Sequence, residues 1–332
     1  MNHKIKIFIV LYLTSFCSFS QEGIPVYSDY LSDNYYLIHP SMAGASSCDK
    51  LRLTARAQWM GQDDAPALQT LSYNARVGER SGIGGILFND KNGYHSQKGL
   101  KLTYAHHLMF SRDEVDLNQL SFGVNVGFFQ SQLDETEFLA SGDYDPIVNG
   151  TIVQKDAYFN VDIGASYNYM DFYAHLTVKN AAETRRDIYT EFESDNLRKF
   201  LVSAGYVFGN SEKILWEPSI LFQYTDKTEE KAIDVNIKAY KSLEFGRLWA
   251  ALSYRRSFEG AEYLDGSSVS NQKLQYITPI LGVNYKQFMF AYTYSYLSGP
   301  QNFDTGGFHQ ITLGLDLNCK RERYHCNCPA VN

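Results

Sequence analysis

The residues best equipped for chemistry in this 332-residue chain are its five cysteines: Cys17, Cys48, Cys319, Cys326 and Cys328. Cys17 lies in an N-terminal stretch that reads as a cleaved leader. The other four form an even set, and in an exported chain an even set reads as disulfide-bonded. One residue separates Cys326 from Cys328, which strains a bridge between those two. Cys48 is therefore expected to pair with a tail cysteine. Two other readings stay open. One is free thiols. The other is a metal site built on Cys326-Asn-Cys328 beside His325, although structural zinc sites usually leave two to four residues between cysteines. His106 and His107 are adjacent on a strand-like segment and point to opposite faces, so they cannot form one site. The chain has no Gly-x-Ser-x-Gly elbow, phosphate loop, His-Glu-x-x-His or calcium loop. No catalytic, cofactor-binding or metal residue is assigned.

The elements that would position these residues show a period of two. From Ala157 to Tyr169, Phe159, Val161, Ile163, Ala165, Tyr167 and Tyr169 share one face. Asn160, Asp162, Gly164, Ser166 and Asn168 share the other. A strand separates these sets cleanly and a helix scatters them. The same split recurs in Leu51–Trp59, Ile233–Tyr240 and Ile311–Leu317. Their polar faces are too polar to pack on a second sheet, whereas a barrel lumen accommodates them. Fourteen strands are predicted, at 51–60, 67–77, 82–89, 98–110, 117–130, 158–170, 171–179, 198–208, 214–225, 230–240, 246–257, 274–285, 287–296 and 308–318. Most are long enough for a tilted bilayer crossing, which takes about 9–11 residues. Alternate connections are short (78–81, 111–116, 170–171, 209–213, 241–245 and 286), while those between include long ones at 131–157, 180–197, 258–273 and 297–307. Short turns on one side and long loops on the other are the asymmetry of an outer-membrane barrel. The expected fold is an all-β transmembrane antiparallel barrel of about fourteen strands. An even count puts both chain ends, and all four mature cysteines, on the periplasmic side. Arg52, Arg56 and Arg76 then face inward, as do Asp162, Glu217, Asp234 and Asp316. They read as a lumen network of paired charges, with an ion-selectivity ring as the sharper alternative.

Lys4 and Lys6, the apolar run Ile7–Phe16, and small residues at Ser18 and Ser20 make a secretory leader ending at residue 20. The organisation is then a signal peptide at 1–20, a periplasmic N-terminal segment at 21–50, the barrel at 51–318 and a Cys-containing periplasmic tail at 319–332. Mean hydropathy is -0.32, and no later run is long and apolar enough for a spanning helix. Twenty-five Tyr and 21 Phe suit the aromatic girdles of a membrane barrel. A formal net charge of -7 without a basic stripe argues against nucleic acid as a partner.

The first hairpin is more specific. Arg52-Leu-Thr-Ala-Arg56-Ala-Gln58-Trp59-Met-Gly61 leads into Ala65-Pro66-Ala-Leu-Gln-Thr70. Upstream stands His39-Pro40-Ser-Met-Ala43-Gly44. Downstream stand Gly82-Ile-Gly84-Gly85 and the closing Gly307-Phe-His309-Gln310-Ile311-Thr312-Leu313. In order and spacing these segments resemble the PorP/SprF family of type IX secretion membrane proteins. His39-Pro40-Ser41-Met42 departs from that family's Asn-Pro-Ala-Tyr, and Asp64 stands where it has Gly. The resemblance implies a non-enzymatic outer-membrane component, without cofactor, in a diderm bacterium. Its implied partners are a secreted surface adhesin, engaged through a C-terminal secretion domain, and other type IX components, besides outer-membrane lipid. Arg56, Gln58, Trp59, Gly61 and Pro66 are the family-motif candidates for partner binding, with fold architecture as their plainer role. The alternative function is a porin or a transporter of small hydrophobic or ionic solutes.

Overall fold

The computed structural model describes residues 31, 34–58, 65–111, 116–136, 153–182, 184, 197–258, 261–265, 268–298, 307–320 and 326, with 261–265 and 268–272 described by backbone alone. Fourteen antiparallel strands close into a barrel. They are β1 (Asp49–Gln58), β2 (Ala67–Val77), β3 (Ser81–Asn92), β4 (His95–Met109), β5 (Asn118–Asp134), β6 (Val153–Tyr169) and β7 (Phe172–Lys179). There follow β8 (Lys199–Tyr206, continued by Phe208–Gly209), β9 (Leu215–Thr225), β10 (Lys231–Leu243), β11 (Gly246–Ser257), β12 (Gln275–Tyr285), β13 (Phe288–Ser298) and β14 (Phe308–Leu317). Each strand pairs with its neighbours in sequence, and β1 closes on β14 from Asp49↔Leu317 to Gln58↔Phe308. Closure leaves no edge strand in the bilayer, where an unpaired backbone group is costly.

All fourteen strands lie where alternation places them, but several run longer. β3 and β4 continue through 90–97 and meet at the two-residue turn Gly93-Tyr94, where Gly93 has φ 58°. β5 extends to Asp134, and β6 begins at Val153. In these extensions polar residues stand on both faces, so the apolar alternation fades while the backbone ladder continues. Loop 258–274 contains a short hairpin, Ala261–Asp265 with Ser268–Gln272.

The outward faces are apolar and bare. Leu53, Leu87, Leu102, Phe128, Phe159 and Leu281 are 45–63 % exposed. Each such side chain would lose roughly 1.5–3 kcal/mol by facing water instead of an apolar medium. A belt of this kind belongs in lipid. Aromatic residues, among them Phe110, Tyr169, Tyr206, Phe245, Tyr285 and Phe288, mark its short-turn edge. No helix among the described residues is long and apolar enough to cross a membrane; the crossing is made by strands.

The inward faces are polar, and part of the lumen is filled. Residues 21–50 read in the sequence as an irregular periplasmic segment ahead of the first strand. In the structure, Asn34–Ser46 pack inside the wall at its short-turn end, with two 3-10 turns, Tyr35–Leu37 and Pro40–Met42. The physical reason is apolar content. Tyr35, Tyr36, Leu37, Ile38 and Met42 have nowhere else to be buried, and a segment of single turns has no periodicity to betray its destination. Leu31, Tyr35, Ile38, Met42 and Ala45 form one apolar cluster with wall residues such as Leu201, Leu221, Trp249 and Ile280. Tyr36, Leu37 and Ala43 form another with Ile86 and Ala105.

Candidate functional site: the plugged lumen

Segment 34–46 is held by side chains from most of the circumference. On one side Tyr35 donates its hydroxyl to Glu217 Oε1 at 2.6 Å. Tyr173 donates to the same oxygen at 2.5 Å, and Tyr240 donates to Oε2. Burial raises the Tyr35 pKa, and the Glu217 charge raises it further, so the hydroxyl stays protonated and donates. Tyr36 is likewise pushed up by burial, partly offset by its bond to Thr103, 2.5 Å away. Thr103 passes the chain to Asn125 and on to Asp162, which Lys101 pairs at 2.7 Å.

His39 lies deepest. Its Nδ1 meets Thr177 Oγ1 at 2.8 Å and its Nε2 meets Ser203 Oγ at 3.0 Å. The His175 ring lies against it, 4.8 Å between centroids. Burial, then the neighbouring His175 and Lys179, hold the His39 pKa well below its usual value, so the ring is neutral. A neutral imidazole has one donor and one acceptor, and two hydroxyls can satisfy both. Ser41 and Ser166 hydroxyls meet at 2.5 Å. His107, buried on β4, donates from Nε2 to Ala43 O at 3.0 Å, which leaves Nδ1 to accept from Ser121 at 2.8 Å. Arg76 donates to Gly44 O at 2.7 Å, and Gly44 N–H donates to Asn74 at 3.0 Å.

Glycines in the wall make the seat. A Cβ on Gly82 would stand 1.9 Å from Ala43 O, and one on Gly123 would stand 2.3 Å from Ser41 N. A Cβ on Gly84 would meet the Tyr36 hydroxyl at 2.5 Å. No side chain fits at Gly82 or Gly123 unless the segment moves.

The predicted charges all face inward, and the structure sets several of them in ion pairs and others against amides, carbonyls and hydroxyls. Arg52 meets Asp316 at 2.7 Å, Asp162 meets Lys101, and Arg255 forks onto Asp234 at 2.5 and 2.6 Å. Arg56 is buried at the closure seam. Its Nε and Nη2 donate to Gln310 Oε1 at 2.8 and 2.6 Å, and its guanidinium lies 4.2 Å from the Phe308 ring centroid. The first and last family-like segments therefore meet each other across the β1–β14 seam. Gln58 ends β1, and its N–H donates to the carbonyl of buried Pro66 at 2.9 Å, closing the first hairpin. Trp59 and Gly61 lie outside the described residues.

Cys48 and Cys319 form a disulfide beside the same seam, S–S 2.07 Å, as the expected pairing of Cys48 with the tail. Cys326 is also disulfide-bonded, and it packs against the apolar cluster that contains Leu31 and Tyr35. Cys328 and His325 lie outside the described residues. Among the described residues no group of three or more His, Cys, Asp or Glu is placed to hold a metal. The pairs His39–Ser203 and His107–Ser121 have hydrogen-bond geometry, but all four side chains are buried and engaged in seating the segment. Alternation could not reveal Tyr35, His39 and Ser41. The available signals were apolar content ahead of the first strand and glycines at inward positions of β3 and β5.

Solved structures similar to this chain include the CymD monoaromatic hydrocarbon channel, at 10 % identity and TM-score 0.49, covering 90 % of this chain and 98 % of that one. The Pseudomonas putida toluene transporter TodX is another, at 10 % identity and TM-score 0.45, with 90 % and 98 % covered. No curated protein matches the sequence. The family model described as type IX secretion system membrane protein PorP/SprF matches residues 19–315. That span takes in the seated segment, the glycine-bearing strands and the seam, and the chain belongs to the PorP/SprF family of type IX secretion membrane proteins.

Proposed function

We propose that this outer-membrane component serves its secretion system as a holder of partners and not as the conduit for cargo. The short-turn end, with both chain termini and the cysteines, faces the periplasm and docks other type IX components. The long-loop end faces outward and engages a secreted surface adhesin through its C-terminal secretion domain. The observation that supports this reading is the seating of residues 34–46 inside the wall, through Tyr35, His39, Ser41 and Gly44. A barrel of fourteen strands is already too narrow for a folded protein, and the segment takes up part of what room there is. The test joins two measurements on the tagged protein, gently extracted. Co-purification of type IX components or an adhesin, together with little conductance in a planar bilayer, is the expected result. A barrel that purifies alone and conducts small ions would sink the reading in favour of a porin or solute transporter.

A further inference from the structure

The outer wall of β1–β5 carries an apolar groove of about 720 Å³, whose outward-facing lining includes Leu53, Leu71, Leu87 and Phe128. The registers Leu53↔Leu71, Leu71↔Leu87, Leu87↔Leu100 and Leu100↔Phe128 join these residues into one outward row across the sheet. Two residues nearer the long loops, the outward row changes character. Gln69↔Asn89, Asn89↔Lys98 and Lys98↔Gln130 are direct register partners, and all four line the same groove. Lys98 is exposed there, between two amide side chains. The row above adds outward Lys91 and Lys155, with Ser96 and Gln132 between them. Among the described residues, Asp134 brings a carboxylate to this end of β5, where it accepts from the Thr136 N–H and hydroxyl. Across the barrel the corresponding outward positions mix Tyr224, Tyr254 and Tyr296 with Lys231 and Arg256. Over the groove the cation stands beside amides and at the end of an apolar trough.

We propose that this groove binds a bilayer lipid with a net-anionic phosphate headgroup, its chains along Leu71, Leu87 and Phe128 and its phosphate at Lys98. Each half has its own physics. The groove adds contact for acyl chains that a convex wall lacks. A lysine at the membrane surface attracts anionic headgroups, and the amides of Gln69, Asn89 and Gln130 supply further donors to phosphate oxygens. The ligand is a lipid and not free phosphate, because the cation stands at the end of an apolar trough inside the exposed apolar belt.

Native mass spectrometry of the purified barrel in detergent, offered equal phosphatidylglycerol and phosphatidylcholine, tests this. Retention of phosphatidylglycerol is expected to exceed phosphatidylcholine about five-fold, the effect of one lysine near a membrane surface. Lys98→Glu should bring the ratio to parity, while Lys213→Glu, at the short-turn end, should leave it unchanged. Leu87→Trp, which fills the trough, should lower retention of both lipids. Heat-modified gel mobility verifies that each variant is folded. Equal retention of the two lipids by the native barrel would overturn the proposal. So would a preference that survives in Lys98→Glu, lipid retention unaffected by Leu87→Trp, or displacement of the lipid by excess inorganic phosphate.

Discussion

Glu217 and His39 show how single residues fix the seated segment. Glu217 is buried and takes hydroxyl donors from Tyr35, Tyr173 and Tyr240, one from the segment and two from the wall. Glu217→Ala leaves three buried hydroxyls without that acceptor and should cost at least about 2 kcal/mol. The drop is read as a lower temperature for conversion of the folded band to the unfolded one on gels. Tyr35→Phe removes one donor and should cost about 1 kcal/mol by the same measure. His39 sets a pH dependence. Its pKa in place lies well below the 6.5 of a free imidazole, first through burial and then through His175 and Lys179. A released segment therefore takes up a proton that the seated one refuses. Seating is fullest above pH 6.5 and weakens as pH falls below it, by no more than about 1.4 kcal/mol per pH unit for one proton. Protease cleavage within 34–46 should increase from pH 7.5 to pH 5 in the native protein. His39→Gln should flatten that slope.

At the scale of elements, the wall strands do two jobs through opposite faces. Outward residues meet lipid, and inward residues of β3, β5 and β6 leave a hollow for Pro40–Gly44. Gly123 on β5 shows this clearly, because an added Cβ would lie 2.3 Å from Ser41 N and 2.4 Å from the Pro40 carbonyl carbon. Gly123→Val should unseat the segment at a cost of about 1–3 kcal/mol, the usual range for overpacking, while the strands still pair. The expected signature is rapid proteolysis of 34–46 with near-native heat-modifiability. Gly85→Ala on β3 is the control, since its Cβ would meet nothing nearer than Lys101 O at 3.8 Å. The same two-faced logic explains the seam. Thr54, Arg56 and Gln310 face in and pair across β1–β14, while Leu53, Ile311 and Leu313 face out.

Over the whole molecule, the two ends of the chain are joined where the barrel closes. The Cys48–Cys319 bridge spans 271 residues of sequence. Loop-closure entropy alone would allow it about 5 kcal/mol. The ten register pairs of β1 with β14 already restrain the same ends, so the observed loss in Cys319→Ser should fall well below that ceiling. Thermal midpoints of the native protein and Cys319→Ser, both without reductant, measure it. Reductant is the poorer probe, because Cys326 is bridged as well.

Much of this architecture was legible in the order of residues. Alternation such as Phe159, Val161, Ile163 against Asn160, Asp162, Gly164 is a one-dimensional record of a two-faced strand. A lipid exterior with a polar interior writes that record fourteen times. Turn length adds the asymmetry of the two ends, and an even cysteine set pointed to a Cys48 bridge with the tail. What alternation could not carry was anything without a period. Tyr35, His39 and Ser41 sit in single 3-10 turns, and their partners Glu217, Thr177 and Ser166 lie 125–182 residues away. Arg56 reads equally well as a surface contact or as a seam residue until Gln310 is brought beside it. Sequence alone determined the wall, because each strand reports its own two environments. Only the tertiary structure decided what fills the wall, because burial of an irregular segment depends on residues that meet only when the barrel closes.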